Sequence, residues 1–131
     1  MVKIKVILPD CIKIDEECDS VTIPGVDGDF AVLEGHTPFI TKIRPGVLSV
    51  DNHSNTTEYA IHDGFVTVED NLVTVVTERI ERADEIDKTR AEEALKRAKT
   101  RLADNANLEI DFRRAEFALK RAMTRIRTIS R

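Results

Sequence analysis

Six arginines near the end of the chain have the type and spacing to hold an anion. The segment Ile86–Arg101, IDKTRAEEALKRAKTR, returns 24 residues later as Ile110–Arg125, IDFRRAEFALKRAMTR, with 12 of 16 positions identical. At about 100° per residue on a helix, Arg90, Arg97 and Arg101 fall on one flank of the first copy, and Arg114, Arg121 and Arg125 on the same flank of the second. A guanidinium is a permanent cation with a planar fork of donors suited to phosphate or carboxylate. Six on one edge repel one another unless an anion or acidic side chains compensate. The chemistry this pattern offers is anion recognition.

The elements that must carry these arginines are two amphipathic helices. Ala91, Ala94, Leu95, Ala98 and Leu102 form one apolar stripe, and Ala115, Ala118, Leu119, Ala122 and Ile126 the other. Asp87 and Asp111 stand where N-caps are expected, which places the helices at about 87–103 and 109–128. The polar link around Asp104–Asn107 is short enough to make them antiparallel, and alanine-rich seams let them approach closely. Equivalent flanks then meet along one side of the hairpin.

Charge separates this arm from the rest of the chain. Residues 1–87 hold 7 Lys+Arg and 18 Asp+Glu (net −11), residues 88–131 hold 13 and 6 (net +7), and together they give the −4 of the 131-residue chain. A basic helical arm calls for an acidic partner: nucleic acid, a phosphate ligand, an anionic membrane or an acidic protein surface. No run approaches a membrane span, and MVKIKVILPD is too short and alternating for a signal peptide. Cys11 and Cys18 read as reduced, part-buried thiols without zinc-ligand spacing. His53 and His62 read as isolated.

Before the helices the pattern is β. Met1–Leu8 alternates Val2, Ile4, Val6 and Leu8 with polar residues. Short apolar segments follow at Ser20–Ile23, Phe30–Leu33, Phe39–Ile43, Val47–Val50, Glu58–Ile61, Phe65–Glu69 and Leu72–Glu78, divided by turn signals such as Pro24-Gly25, Pro45-Gly46 and Asp63-Gly64. Glu81–Glu85 reads as a charged linker. The fold class is an all-β sandwich N-terminal domain (residues 1–84) followed by a C-terminal α-helical hairpin (residues 85–131). An enzyme reading is poor, because no nucleophile elbow, phosphate loop or triad spacing is present. Nucleic-acid binding finds little support in an arm whose aromatics are Phe112 and Phe117 beside a strongly acidic body. A coiled-coil adaptor indifferent to nucleotide stays open on these grounds.

The stretch Gly28-Asp29-Phe30-Ala31-Val32-Leu33-Glu34-Gly35-His36-Thr37-Pro38-Phe39 resembles the "GE(L/F)G(I/V)LPGH(A/T)P" signature of the epsilon subunit of F-type ATP synthases, with Glu34 in place of the usual proline. Ile61-His62-Asp63-Gly64-Phe65-Val66-Thr67-Val68 resembles that family's "GGFxEV" strand pair, with His62-Asp63 replacing its small residues. The IDxxRA and ALKRAMxR elements are similar to its C-terminal hairpin. The resemblance spans nearly the whole chain in the same order.

It implies a non-catalytic rotor subunit of a proton-translocating synthase at the cytoplasmic face of a bacterial membrane. The sandwich would bind the gamma subunit and the c-ring, with Asp29 and His36 on the ring-facing side. The hairpin would either fold onto the sandwich or extend toward the beta and alpha subunits and inhibit ATP hydrolysis. Ile86-Asp87-Lys88-Thr89-Arg90-Ala91 matches the I/L-D-x-x-R-A motif with which some members bind ATP as a regulatory ligand. By position, the ATP-binding set is Glu81 (with Glu78 its neighbouring candidate), Ile86, Asp87, Arg90, Ala91, Arg97, Arg121 and Arg125.

Overall fold

Alternation of apolar and polar residues builds the first 82 residues into ten strands. In the computed structural model, which describes residues 1–104 and 109–129, these are β1 (Val2–Ile7), β2 (Ile12–Cys18), β3 (Ser20–Gly25), β4 (Gly28–Val32), β5 (Phe39–Ile43), β6 (Gly46–Asn52), β7 (Asn55–Ile61), β8 (Gly64–Glu69), β9 (Leu72–Thr77) and β10 (Ile80–Arg82). They pair in the order β10-β7-β6-β3-β5-β8-β9-β1-β2, with β4 on β3. The β1–β9 pair is parallel and the other pairs are antiparallel. The sandwich core is aliphatic: Val2, Ile4 and Val6 of β1 meet Val21, Ile23, Leu48, Ile61, Val66, Val73 and Val75, all fully buried. Burying one face of a strand while its alternate residues stay wet is what the period of two requires.

Two strands correct the sequence reading. β2 is an edge strand on which only Ile14 and Cys18 are buried, and its run Asp15-Glu16-Glu17 masks the alternation. β10 occupies part of the expected linker, pairing Ile80, Glu81 and Arg82 with Ile61, Ala60 and Tyr59, and a 3₁₀ turn, Ala83–Glu85, follows it. Cys11 is exposed and Cys18 buried, both as free thiols. Burial pushes the Cys18 thiol above its ordinary pKa.

Helix α1 runs Lys88–Asp104 and α2 runs Glu109–Ile129. Asp87 caps α1: its Oδ1 accepts the Arg90 backbone N–H at 3.0 Å, satisfying one of the donors a helix start leaves open. Asp111 lies within the first turn of α2, not ahead of it, because α2 begins at Glu109. Residues 105–107 of the expected link lie outside the described residues. The helices pack on each other through Ala91 and Ala98 of α1 and Ala115 and Ala122 of α2, which are buried, whereas Leu95, Leu102, Leu119 and Ile126 are only partly covered.

A second face of α2 docks on the sandwich against β6, β7 and the 3₁₀ turn. Thr124 and Thr128 are buried there, their hydroxyls donating to the carbonyls of Lys120 at 2.8 Å and Thr124 at 2.7 Å. That local bond satisfies a group that would otherwise be costly to bury. Val47, Ala60 and Glu81 are in register across β6, β7 and β10. Their side chains therefore share the face that α2 covers, which accounts for the burial of Val47 and Ala60 outside the sandwich core.

A candidate anion-binding cleft between sandwich and hairpin

Where β10 turns into α1, side chains from three elements converge on an open cleft of about 270 Å³ lined by Glu81, Glu85, Ile86, Asp87, Arg90, Ala91, Ala94, Arg97 and Arg125. β10 brings Glu81, the segment after it brings Glu85, Ile86 and Asp87, α1 brings Arg90, Ala91, Ala94 and Arg97, and α2 reaches across with Arg125. The volume is near the lower end of ordinary ligand pockets, roughly 300–1,000 Å³. Of the eight residues read from the sequence as an ATP-binding set, Glu81, Ile86, Asp87, Arg90, Ala91, Arg97 and Arg125 line this cleft. Arg121, one turn earlier on α2 and half-buried, is not among the lining residues, and Glu78 is exposed outside it. Arg101 meets Arg97 at a neighbouring depression, and Arg114 is exposed. The six arginines therefore do not form one continuous edge.

Electrostatics divides the cleft. Arg125 Nε donates to Glu81 Oε1 at 2.7 Å, and His62 Nε2 lies 3.3 Å from the same oxygen. The His62 hydrogen bond, reinforced by Arg125 and opposed by partial burial, holds the Glu81 carboxyl down to about 2. Glu85 is paired with Lys13 at 3.2 Å. Asp87 is engaged in capping, whereas Arg90 and Arg97 make no ion pair among the described residues. The cleft thus offers two guanidiniums without an ion pair among the described residues, together with carboxylate oxygens and the apolar Ile86, Ala91 and Ala94. A polyanion with a hydrogen-bonding, partly apolar head would meet complementary groups in it.

Glu85, Ala94 and above all His62 were not legible as part of this site from the sequence; His62 is bonded to Glu81 and so is not isolated. The pairing of Ala60 with Glu81 explains this: once β10 joins β7, the residue just past β7 comes beside β10. His53 is not isolated either, since its backbone N–H donates to Asp19 Oδ2 at 2.6 Å. Asp29 pairs with Arg44, and His36, whose Nδ1 is 2.6 Å from the Thr37 carbonyl, sits among the rings of Phe30 and Phe39. These two residues are far from the cleft in sequence and do not line it. Leu33, Phe39 and Ile40 expose apolar surface on the segments around them. No cluster of potential metal ligands occurs among the described residues, and no helix among them is long and apolar enough to cross a membrane.

A β-sandwich carrying a two-helix hairpin across one face, with its charged cleft at the joint, defines a protein of two units in contact. Residues 1–83 match the β-sandwich domain of the ATP synthase delta/epsilon chain, and residues 84–130 match that chain's long α-helix domain. The ATP synthase epsilon chain of Desulforudis audaxviator is 40% identical over 77% of this chain and 74% of its own length. That of Carboxydothermus hydrogenoformans is 38% identical over 78% and 76%. A chain in the cryo-EM structure of the Euglena gracilis mitochondrial ATP synthase (OSCP, F1 and c-ring) matches with TM-score 0.84 and 25% identity, covering 94% of this chain and 78% of that one. A chain from the central stalk and c-ring of the Tetrahymena thermophila mitochondrial ATP synthase, TM-score 0.59 at 12% identity over 98% and 93%, shares the fold. The chain belongs to the ATP synthase delta/epsilon chain family. It is a structural subunit and not a catalytic one.

Proposed function

We propose that the chain is the epsilon subunit in the central stalk of a proton-translocating F-type ATP synthase, working as two units, residues 1–84 and 85–131, and that its hairpin is an ATP-sensing inhibitory arm. The observation that carries the sensing role is the convergence of seven of the eight predicted residues on one cleft. Arg90, Arg97 and Arg125 would hold the phosphates, Glu81 and Asp87 would accept from amino or hydroxyl groups, and Ile86, Ala91 and Ala94 would cover an apolar face. Because the cleft takes side chains from β10, α1 and α2 together, a ligand there binds the folded hairpin better than an opened one. It stabilises the folded form by RT ln(1 + [L]/Kd). Falling ATP would then free the hairpin to reach the beta and alpha subunits and inhibit hydrolysis. The sandwich would hold the gamma subunit and the c-ring, with Asp29, His36 and the exposed Leu33, Phe39 and Ile40 at the ring, on the cytoplasmic face of the membrane.

Calorimetric titration of ATP into the full chain, beside Arg97→Ala and Arg125→Ala, tests the sensing role. The expected result is saturable 1:1 binding that raises the melting temperature. Each substitution should weaken it by roughly tenfold or more, as befits the loss of a charged hydrogen-bond donor. No heat and no rise in melting temperature at millimolar ATP would overturn ATP sensing and leave a coupling subunit.

A further inference from the structure

His62 is 5% exposed, and its Nδ1 is buried with no hydrogen-bond partner among the described residues. It sits on the short segment between β7 and β8, beneath Glu81 and outside the cleft lining. The charged groups near it are Glu81 from β10, Arg125 from α2, and exposed Asp63 beside it. The Thr77 hydroxyl on β9 is already donating to the Asp63 carbonyl. With Nε2 facing a carboxylate oxygen at 3.3 Å, only the tautomer carrying its proton on Nε2 makes an attractive contact. The other would set a nitrogen lone pair against a carboxylate.

We propose that His62 is a positioning residue: its Nε2–H donates to the Glu81 carboxylate, fixes it toward Arg125 and thereby latches α2 to the sandwich. Glu81 Oε1 accepts from both, so the imidazole and the guanidinium constrain the same oxygen from the sandwich side and the hairpin side. The Arg125–Glu81 pair joins α2 to the sandwich through an ion pair. A Glu81 side chain free to rotate would leave it to solvent. The latch needs no ligand, so its test is separate from that of ATP sensing.

The test is NMR on the full chain without nucleotide, comparing wild type, His62→Ser and His62→Gln. A glutamine amide can replace the Nε2–H donor, and serine cannot reach. In His62→Ser, α2 amides should exchange roughly tenfold faster, while β8 and β9 amides hold their rates. The Glu81 carboxyl should titrate at higher pH than in wild type, and His62→Gln should restore both readings. Unchanged α2 exchange in His62→Ser would overturn the latch. Equal loosening in both variants with Glu81 titrating as in wild type would also overturn it, because His62 would then be packing alone. Should His62→Ser fail to fold, the ring nitrogen shifts of the wild type decide. A proton on Nε2 at neutral pH supports the latch, and an Nδ1–H tautomer with a bare Nε2 refutes it.

Discussion

Glu81 is the side chain at which the sandwich, the hairpin and the cleft meet. Its side chain is about a quarter exposed (26%) and its folded pKa is about 2 against an ordinary 4.5. A carboxyl whose folded pKa is depressed contributes stability that is present above its unfolded value and is lost as pH falls through the folded one. The contribution of Glu81 is therefore complete above about pH 4.5 and fades toward pH 2, an effect of about 3 kcal/mol at most at 1.36 kcal/mol per unit. Glu81→Gln removes it. Unfolding free energies measured against pH should show wild type ahead of Glu81→Gln at neutral pH, with the gap closing in acid. Parallel curves would mean that the charge on Glu81 contributes nothing. Asp87 was legible as a candidate cleft residue because it stands in the IDxxRA motif, and Glu81, with Glu78 as its neighbouring candidate, because an acidic residue is expected shortly before that motif. His62 was not, because the contact it makes comes from pairing β7 with β10. β10 is three residues long with two charges, and such a strand leaves no periodicity to read.

The hairpin is held along two faces of different chemistry, and they were unequally visible. The alanine stripe repeats at helical spacing in both copies, and the buried Ala91, Ala98, Ala115 and Ala122 follow it. The docking face of α2 was hidden because Thr124 and Thr128 read as polar, and only their bonds to carbonyls one turn earlier make burial inexpensive. The arginine edge was half legible. Helical spacing places Arg90 and Arg97 together, but the way α2 crosses the sandwich admits Arg125 to the cleft without Arg121, and sequence spacing does not contain that crossing. Methyl groups on the α1–α2 seam set the approach of the helices, so Ala98→Leu should overpack it. The expected cost is about 1–3 kcal/mol confined to the hairpin. Limited proteolysis should cut α1 and α2 sooner in this variant, while the sandwich survives as in wild type. Equal protection of the hairpin would show that docking of α2 on the sandwich holds it without the alanine seam.

At the scale of the molecule, the net −11 before residue 88 faces the net +7 after it. This asymmetry acts in two opposed ways. Attraction between the acidic sandwich and the basic arm favours docking, whereas repulsion among Arg90, Arg97 and Arg125 across the cleft favours opening. The attraction sums many exposed charges over long separations, and salt removes such terms first: the screening length falls from about 10 Å at 0.1 M to about 3 Å at 1 M. The repulsion acts at closer range and is already offset by Glu81 on Arg125. Docking without nucleotide should therefore weaken as salt rises over that interval, while the sandwich, held by its aliphatic core, keeps its melting temperature. Spin-label distances between an exposed site on β8 and one on α1 can follow this, with the long-distance population growing at high salt. A population that instead contracts would mean that arginine repulsion dominates the arm. The cleft would then be held open by its own cations, and an anion placed there would do more to close the hairpin than the charge of the whole sandwich.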